Sequence, residues 1–250
     1  MKLILVLVAI GIHHLAPGLA ERRRFGWLRV LEHRFATRFA GTAHALGGIG
    51  AAVFIVVPVL LVLFVEHALL ELASVFGILF ALAVLLYSLG PVDLSKELDG
   101  DISANAGGDR AAAMAIAAEL GVGEAYHGTP AEPIAVGRSV LVLANERLFG
   151  PLFWFVVAGI GGAFIYRVTH QVAASDIAHS VRFRHFAWWL RDLLDWLPAR
   201  VLAFGYALSG SFAHAMARWS VLDTLSLADS RRVLADTGMG ALMHDEELIA

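Results

Sequence analysis

Asn145, Glu146 and Arg147 place an amide, a carboxylate and a guanidinium in one short run, beside the apolar stretch Leu148–Ala158. Glycines at 159, 161 and 162 break that stretch, and Tyr166, Arg167, Thr169 and His170 follow within little more than one helical turn. Ionisable groups beside or inside a bilayer segment are costly to keep, so they mark a site by default. The chemistry they offer is recognition of an anionic or amide-bearing ligand. A guanidinium clamps carboxylate or phosphate, and an amide both donates and accepts. Tyr166, Thr169 and His170 share one helix face by their i, i+3, i+4 spacing. No member of the set is marked out as catalytic. A blander reading stands beside this one: Asn145 and a Glu146–Arg147 pair would lock helices together, while Tyr166 and Arg167 would anchor a helix end at the headgroups.

A second polar group, Asp192, Asp195 and Arg200, follows an aromatic-rich segment. Carboxylates at i, i+3 can hold Mg²⁺ through waters when a phosphate adds ligands. A solvated helix face ended by Pro198 accounts for them more simply. The acidic run Asp93, Glu97, Asp99 and Asp101 lacks EF-hand spacing and reads as a charged loop. Eleven histidines are scattered without ligand spacing, and no Gly-x-x-x-x-Gly-Lys-Ser/Thr loop occurs. Neither a metal centre nor a phosphate-loop ATPase is expected, and the sequence assigns no cofactor.

The elements that must carry these residues are those of a membrane protein. Of 250 residues, 58% are hydrophobic and only 16% charged, against about 25% charged in a soluble domain; the mean hydropathy is +0.71. There is no cysteine, which removes disulfides, thiol catalysis and thiolate metal sites. The basic cluster Arg22, Arg23, Arg24, Arg29, Arg34 and Arg38 lies between apolar spans without interleaved aromatics, so no nucleic-acid surface is expected.

Met1–Leu15 reads as a retained first span rather than a signal peptide, because no small-x-small cleavage site precedes the arginines. Gly41–Val65, with Pro58 inside it, is long enough to cross. A turn is expected at Glu66–Glu71, then a second uncharged run, Leu72–Gly90, stopping at Gly90-Pro91. The arginine-rich loop should be cytoplasmic, which puts Asp93–Pro133 there too, as a helical insertion with one clear helix over Asp109–Gly121.

A single span over Leu148–Tyr166 would leave the basic stretch Arg167–Arg200 outside, against the charge rule. A helical hairpin avoids this: Val136–Val157 goes in, the chain turns at Gly159–Gly162, and Ala163 to about Ala178 returns. His185–Trp196 reads as an interfacial helix, Val201–Ala217 as a further apolar segment, and Arg218–Ala250 as a polar, fraying tail. The expectation is an all-α, polytopic protein with about 4–6 membrane segments, forming one membrane domain over residues 1–250.

The motifs Gly90-PVDL, Ala144-NERLFGPLFWF, Gly161-GAFIYR and Leu193-LDWLPARVLAFGYALSG together resemble the AmpE family, inner-membrane proteins encoded with the AmpD amidase in β-lactamase induction loci. That family is similar in turn to the CobD/CbiB cobinamide-phosphate synthases. Against the synthase pattern, Tyr166, Arg167, Asp192, Pro198, Ala199 and Arg200 match. His170-Gln171 replaces an Asn-Thr pair, Arg191 an aspartate and Asp195 an asparagine. The AmpE resemblance implies a multi-pass inner-membrane regulator acting in β-lactamase induction and cell-wall recycling. Its implied partners are the lipid bilayer, a muropeptide or nucleotide-like ligand, and a functional link to an AmpD-type amidase. The alternative is an ATP- and Mg²⁺-dependent amide-forming enzyme, with Glu146, Asp192 and Asp195 in acid–base and metal roles. The His170-Gln171 replacement favours the regulator.

Overall fold

The computed structural model describes residues 2–15, 28, 30–31, 33–34, 43–90, 132–175, 180–221, 226–227 and 229–242. The expected insertion up to residue 131, with its helix and acidic run, most of the arginine-rich loop, and the last eight residues lie outside the described residues. All regular structure among the described residues is helical: α1 (Lys2–Leu15), α2 (Ala43–Leu72), α3 (Ser74–Ser88), α4 (Glu132–Ala144), a π-helical turn (Asn145–Phe149), α5 (Gly150–Ala173), α6 (Val181–Ser209), α7 (Phe212–Val221) and α8 (Ser230–Leu242). The chain divides into two compact units, Met1–Pro91 with Gly150–Leu194, and Val92–Phe149 with Asp195–Ala250.

In the first unit, α1, α2, α3 and α5 pack together around Ala51, Phe54, Ile55, Leu85, Phe155, Ala163 and Val168. Their outer faces stay apolar: Leu3, Leu7, Val53, Leu60, Leu61, Phe64 and Phe76 are all exposed. So much contiguous apolar surface is out of place in water and ordinary where the solvent is lipid. The stretches Gly47–Leu72 and Ile134–Ala173 are long and apolar enough to cross a membrane. The first covers about 39 Å at 1.5 Å per residue, against roughly 30 Å of hydrocarbon.

The turn expected at Glu66–Glu71 is instead the last turn and a half of α2. Every residue there is compatible with a helix, and His67 meets Glu71 at 3.4 Å in an i, i+4 pair. The corner comes at Ala73, which is extended (φ −165°, ψ 138°) and lets Gly77 settle against Leu70. α3 ends at Ser88, with the Leu89 N–H donating to the Leu85 carbonyl, just before Gly90-Pro91 as expected.

α5 is two helices meeting at Gly159, whose φ of 71° lies in the left-handed region that favours glycine. The chain reverses there. Gly162 lies against the Trp154 carbonyl and Ala158, and Gly150 against the Tyr166 ring. Residues 8 and 16 apart along an unbroken helix would be about 12 and 24 Å apart. The turn is therefore tighter than Gly159–Gly162, with the other glycines serving close packing of the arms. Gly161 faces Leu63 of α2.

The expected interfacial helix continues without a break into the next apolar segment as one helix, α6, running through Pro198 to Ser209, and the rest of that segment, from Phe212, lies in α7. Proline has no N–H for the carbonyl four residues earlier, here Leu194, and that carbonyl accepts the Trp154 indole N–H at 2.9 Å instead. Partners of this kind are what let proline sit inside a helix. Trp154→Phe keeps an aromatic ring but removes the donor. It should lower stability by about 1–2 kcal/mol, read as a fall in Tm of the detergent-solubilised protein; an unchanged Tm would show the bond contributes nothing.

In the second unit α8 packs on α4 and α7. Within the polar tail expected from Arg218 onward, Ser230–Leu242 is a helix, with Val233, Leu234, Thr237, Gly238 and Ala241 buried. The polar residues occupy one side of α8 while the small and apolar ones form a stripe at i, i+1, i+4, i+5 and i+8, enough to bury a face. Its C-terminal end pins the α6–α7 corner: Gly210 lies against the Ala241 carbonyl, and the Ser211 N–H donates to it at 2.9 Å.

Candidate functional site

In the second unit, α4 runs directly into the π-helical turn, which opens with Asn145 and Glu146. A π turn carries an additional residue within each hydrogen-bonded loop, and such turns are frequent at functional sites. Asn145 is 2% exposed and Asp195 3%. The Asn145 Nδ2 donates to Asp195 Oδ1 at 3.4 Å, while Asn145 Oδ1, also buried, has no hydrogen-bond partner among the described residues. A carboxylate oxygen of Glu146 lies within 4.8 Å of one of Asp195. On its other side Glu146 Oε1 meets Arg231 Nη2 of α8 at 2.5 Å. Arg231 is half exposed and Glu146 mostly covered, so the pair runs from the surface towards buried Asn145 and Asp195. A buried carbonyl oxygen left without a donor costs about 1–3 kcal/mol, which is tolerable where something fills the place.

Sequence reading put Arg147 in this group; it is half-buried in the π turn. It missed Arg231, Arg138 and Asp236. Arg138 of α4 and Asp236 of α8 pair at 2.5 Å, and Arg232 approaches the same carboxylate at 4.0 Å. The Arg138–Asp236 pair joins α8 to α4 and so helps set where Arg231 points, while Arg232 pairs within α8 itself. The buried stripe of α8 was the available signal. Arg200 has a holding role: its Nη1 donates to the Trp196 carbonyl (2.8 Å) and Ser230 Oγ (3.2 Å), its Nη2 to the Ser226 carbonyl (3.1 Å). Its guanidinium also lies 4.4 Å from the centre of the Trp196 ring, a cation–π contact.

The first unit holds the other candidates. Tyr166, Arg167, Thr169 and His170 are all buried on the return arm of α5. The Tyr166 and His170 rings meet at 4.3 Å, as their i, i+4 spacing predicts. The close approach of Gly150 to the Tyr166 ring locks that ring between the arms. Thr169 is fully buried and its Oγ1 has no hydrogen-bond partner among the described residues. Asp192 takes Nε (3.0 Å) and Nη2 (2.7 Å) of Arg191 on one oxygen. Asp192 and Asp195 therefore answer to different partners, Arg191 and Asn145.

Residues 20–239 match the family described as "Regulatory signalling modulator protein AmpE". The chain belongs to the AmpE family. Curated relatives of this AmpE-family chain include the "Cobalamin biosynthesis protein CobD" of Stutzerimonas stutzeri (strain A1501), 34% identical over 111 residues, 43% of this chain and 37% of that protein. The protein of the same name from Chromobacterium violaceum is 32% identical over 108 residues, 42% of this chain and 35% of that one. The Brucella suis biovar 1 protein is 36% identical over 75 residues, covering 28% and 23%. The chain spans about a third of the length of the first two relatives. No solved structure matches. Both resemblances expected from the motifs are thus found, and the membrane character implied by the AmpE family agrees with the apolar exterior of the helices.

Proposed function

We propose that this AmpE-family chain is a multi-pass regulator of the bacterial inner membrane that senses a small polar ligand at Asn145, Glu146, Asp195 and Arg231. It would act in β-lactamase induction and cell-wall recycling, in functional partnership with an AmpD-type amidase. The observation that carries the reading is the buried Asn145 carbonyl oxygen, without a hydrogen-bond partner among the described residues and next to a surface-reaching Glu146–Arg231 pair. An amide N–H of a ligand suits the first, and a ligand carboxylate or phosphate suits the second. A muropeptide carries both groups; a nucleotide-like ligand is the other candidate. Such a ligand regulates only through different affinities for two states of the protein.

Titration of purified protein with muropeptides and nucleotides tests this. Saturable binding that Asn145→Ala weakens about tenfold or more is expected, and no saturable binding to either class would overturn it. In cells, Glu146→Gln should alter β-lactamase induction at normal protein level. The 34% identity to a CobD protein over 111 residues favours one second reading, an amide-forming membrane enzyme. Restoring growth to a strain lacking that synthase would establish it.

The return arm, Ile160–Ala173, spans only about 20 Å, short of the roughly 30 Å hydrocarbon layer. We take the α5 hairpin to enter and leave from the cytoplasmic side. The chain lacks cysteine, so a cysteine placed at Asp192 reports topology without background. It should resist periplasmic maleimide; labelling from that side would refute the arrangement.

A further inference from the structure

We propose that the cavity at the tip of the α5 hairpin binds a zwitterionic phospholipid, phosphatidylethanolamine, with a stretch of acyl chain inside, its phosphate on Lys2 and its ammonium on Glu66. This goes beyond the function proposed above. The cavity lies within the first unit and uses none of the residues grouped around Asn145. Four elements build it: α1 contributes Lys2 and Leu5, α2 Glu66, α3 Ala81, and the hairpin Phe155 and Gly159. Gly159 is where the chain reverses, so the cavity stands at the end of the hairpin.

Size and lining determine what goes inside. The cavity holds about 160 Å³, less than the roughly 300–1,000 Å³ of sites that enclose a whole small-molecule ligand. It is close to an engineered apolar cavity of about 150 Å³ that stays dry and takes benzene. Apart from Lys2 and Glu66, its lining side chains are apolar. A nucleotide or muropeptide is too large and too polar for it, and a stretch of hydrocarbon suits it. The neighbouring outer faces, with Leu7, Phe64 and Phe76, are apolar and exposed. Lipid that covers them lies within reach of the cavity.

The two charges select the headgroup. Lys2 Nζ donates to the Val156 carbonyl at 3.2 Å rather than to Glu66. Val156 lies in the last turn before Gly159, where main-chain oxygens lack helical partners. An ammonium carries three donors, so exposed Lys2 can hold the hairpin end and a phosphate together. Glu66, half-buried at the same cavity, offers its carboxylate to a primary ammonium. Phosphatidylglycerol brings a phosphate for Lys2 but no cation for Glu66. Phosphatidylcholine brings a cation without an N–H to donate. Ethanolamine answers both groups.

Native mass spectrometry of the full-length protein in detergent, with one lipid added at a time, tests this. Phosphatidylethanolamine should be retained on the order of fivefold more than phosphatidylglycerol or phosphatidylcholine with the same chains, the difference one partly exposed ion pair makes. Lys2→Gln should weaken retention of both phosphatidylethanolamine and phosphatidylglycerol. Glu66→Gln should bring those two lipids level. Glu66→Lys should reverse their order in favour of phosphatidylglycerol, and a new preference cannot come from misfolding. Glycerophosphoethanolamine, which has the headgroup and no chains, should not displace the bound lipid. Equal retention of the three lipids, a preference of the unaltered protein for phosphatidylglycerol, displacement by glycerophosphoethanolamine, or an order unmoved by Glu66→Lys would each overturn the proposal. Muropeptide binding reports on the other unit, so either result there leaves this one standing or falling by itself.

Discussion

Gly162→Ala should all but abolish the folded protein. A methyl group at this position would run into the Trp154 carbonyl oxygen and stand 2.7 Å from the Ala158 Cβ. The nearer neighbour is backbone, which cannot rotate away, so the two arms of α5 must separate. Overpacking in a core costs about 1–3 kcal/mol and occasionally more. Separating the arms also loosens Tyr166 from Gly150, so a loss of at least about 3 kcal/mol is expected. The measurements are the monodisperse fraction on size exclusion and the Tm in detergent. Gly205→Ala is the control: nothing lies within 4 Å of its added methyl. In the middle of α6 it should stabilise by about 0.5–1 kcal/mol through helix propensity. Equal behaviour of the two variants would mean the arms do not pack as described.

Arg200→Ala is expected to cost about 2–4 kcal/mol and to loosen the start of α8. One side chain holds the Trp196 and Ser226 carbonyls and the Ser230 hydroxyl, and hydrogen bonds to a charged group contribute about 1.5–3 kcal/mol each before non-additivity. Lysine cannot reproduce the planar fork, so Arg200→Lys should recover less than half of the loss. Hydrogen exchange gives the spatial readout. Faster exchange should appear across Ser230–Leu242 and leave α2 and α3 untouched. Uniform acceleration over the whole chain would show that Arg200 does not act locally.

How much the sequence discloses differs by element, for physical reasons. The chain reversal in α5 is legible because glycines cluster where a span would otherwise run through, and because the charge rule rejects a single crossing. The shared face of Tyr166 and His170 is legible from helical spacing alone. The corner after α2 is not. Glu66 and Glu71 read as a loop, yet both are good helix formers, and the break falls at Ala73, which carries no turn signal of its own. The continuity of α6 is hidden as well. Pro198 looks like a stop until the donor that satisfies Leu194 is known, and Trp154 lies 40 residues away. At the site, Asn145, Glu146 and Asp195 can be named from residue type. Arg231 cannot, because only the fold of α8 brings it to Glu146.

The bond from Trp154 to the Leu194 carbonyl also bears on biogenesis. The donor precedes its acceptor by 40 residues in the chain. At about 5–20 residues per second, the hairpin carrying Trp154 is made roughly 2–8 s before the proline-containing helix emerges. That helix is incomplete by itself, with one main-chain oxygen that only a neighbour can meet. N-to-C synthesis delivers the neighbour first, so α6 need never wait with its defect exposed. A circular permutant starting at Val181 would reverse the order, leaving the proline helix to wait for its partner.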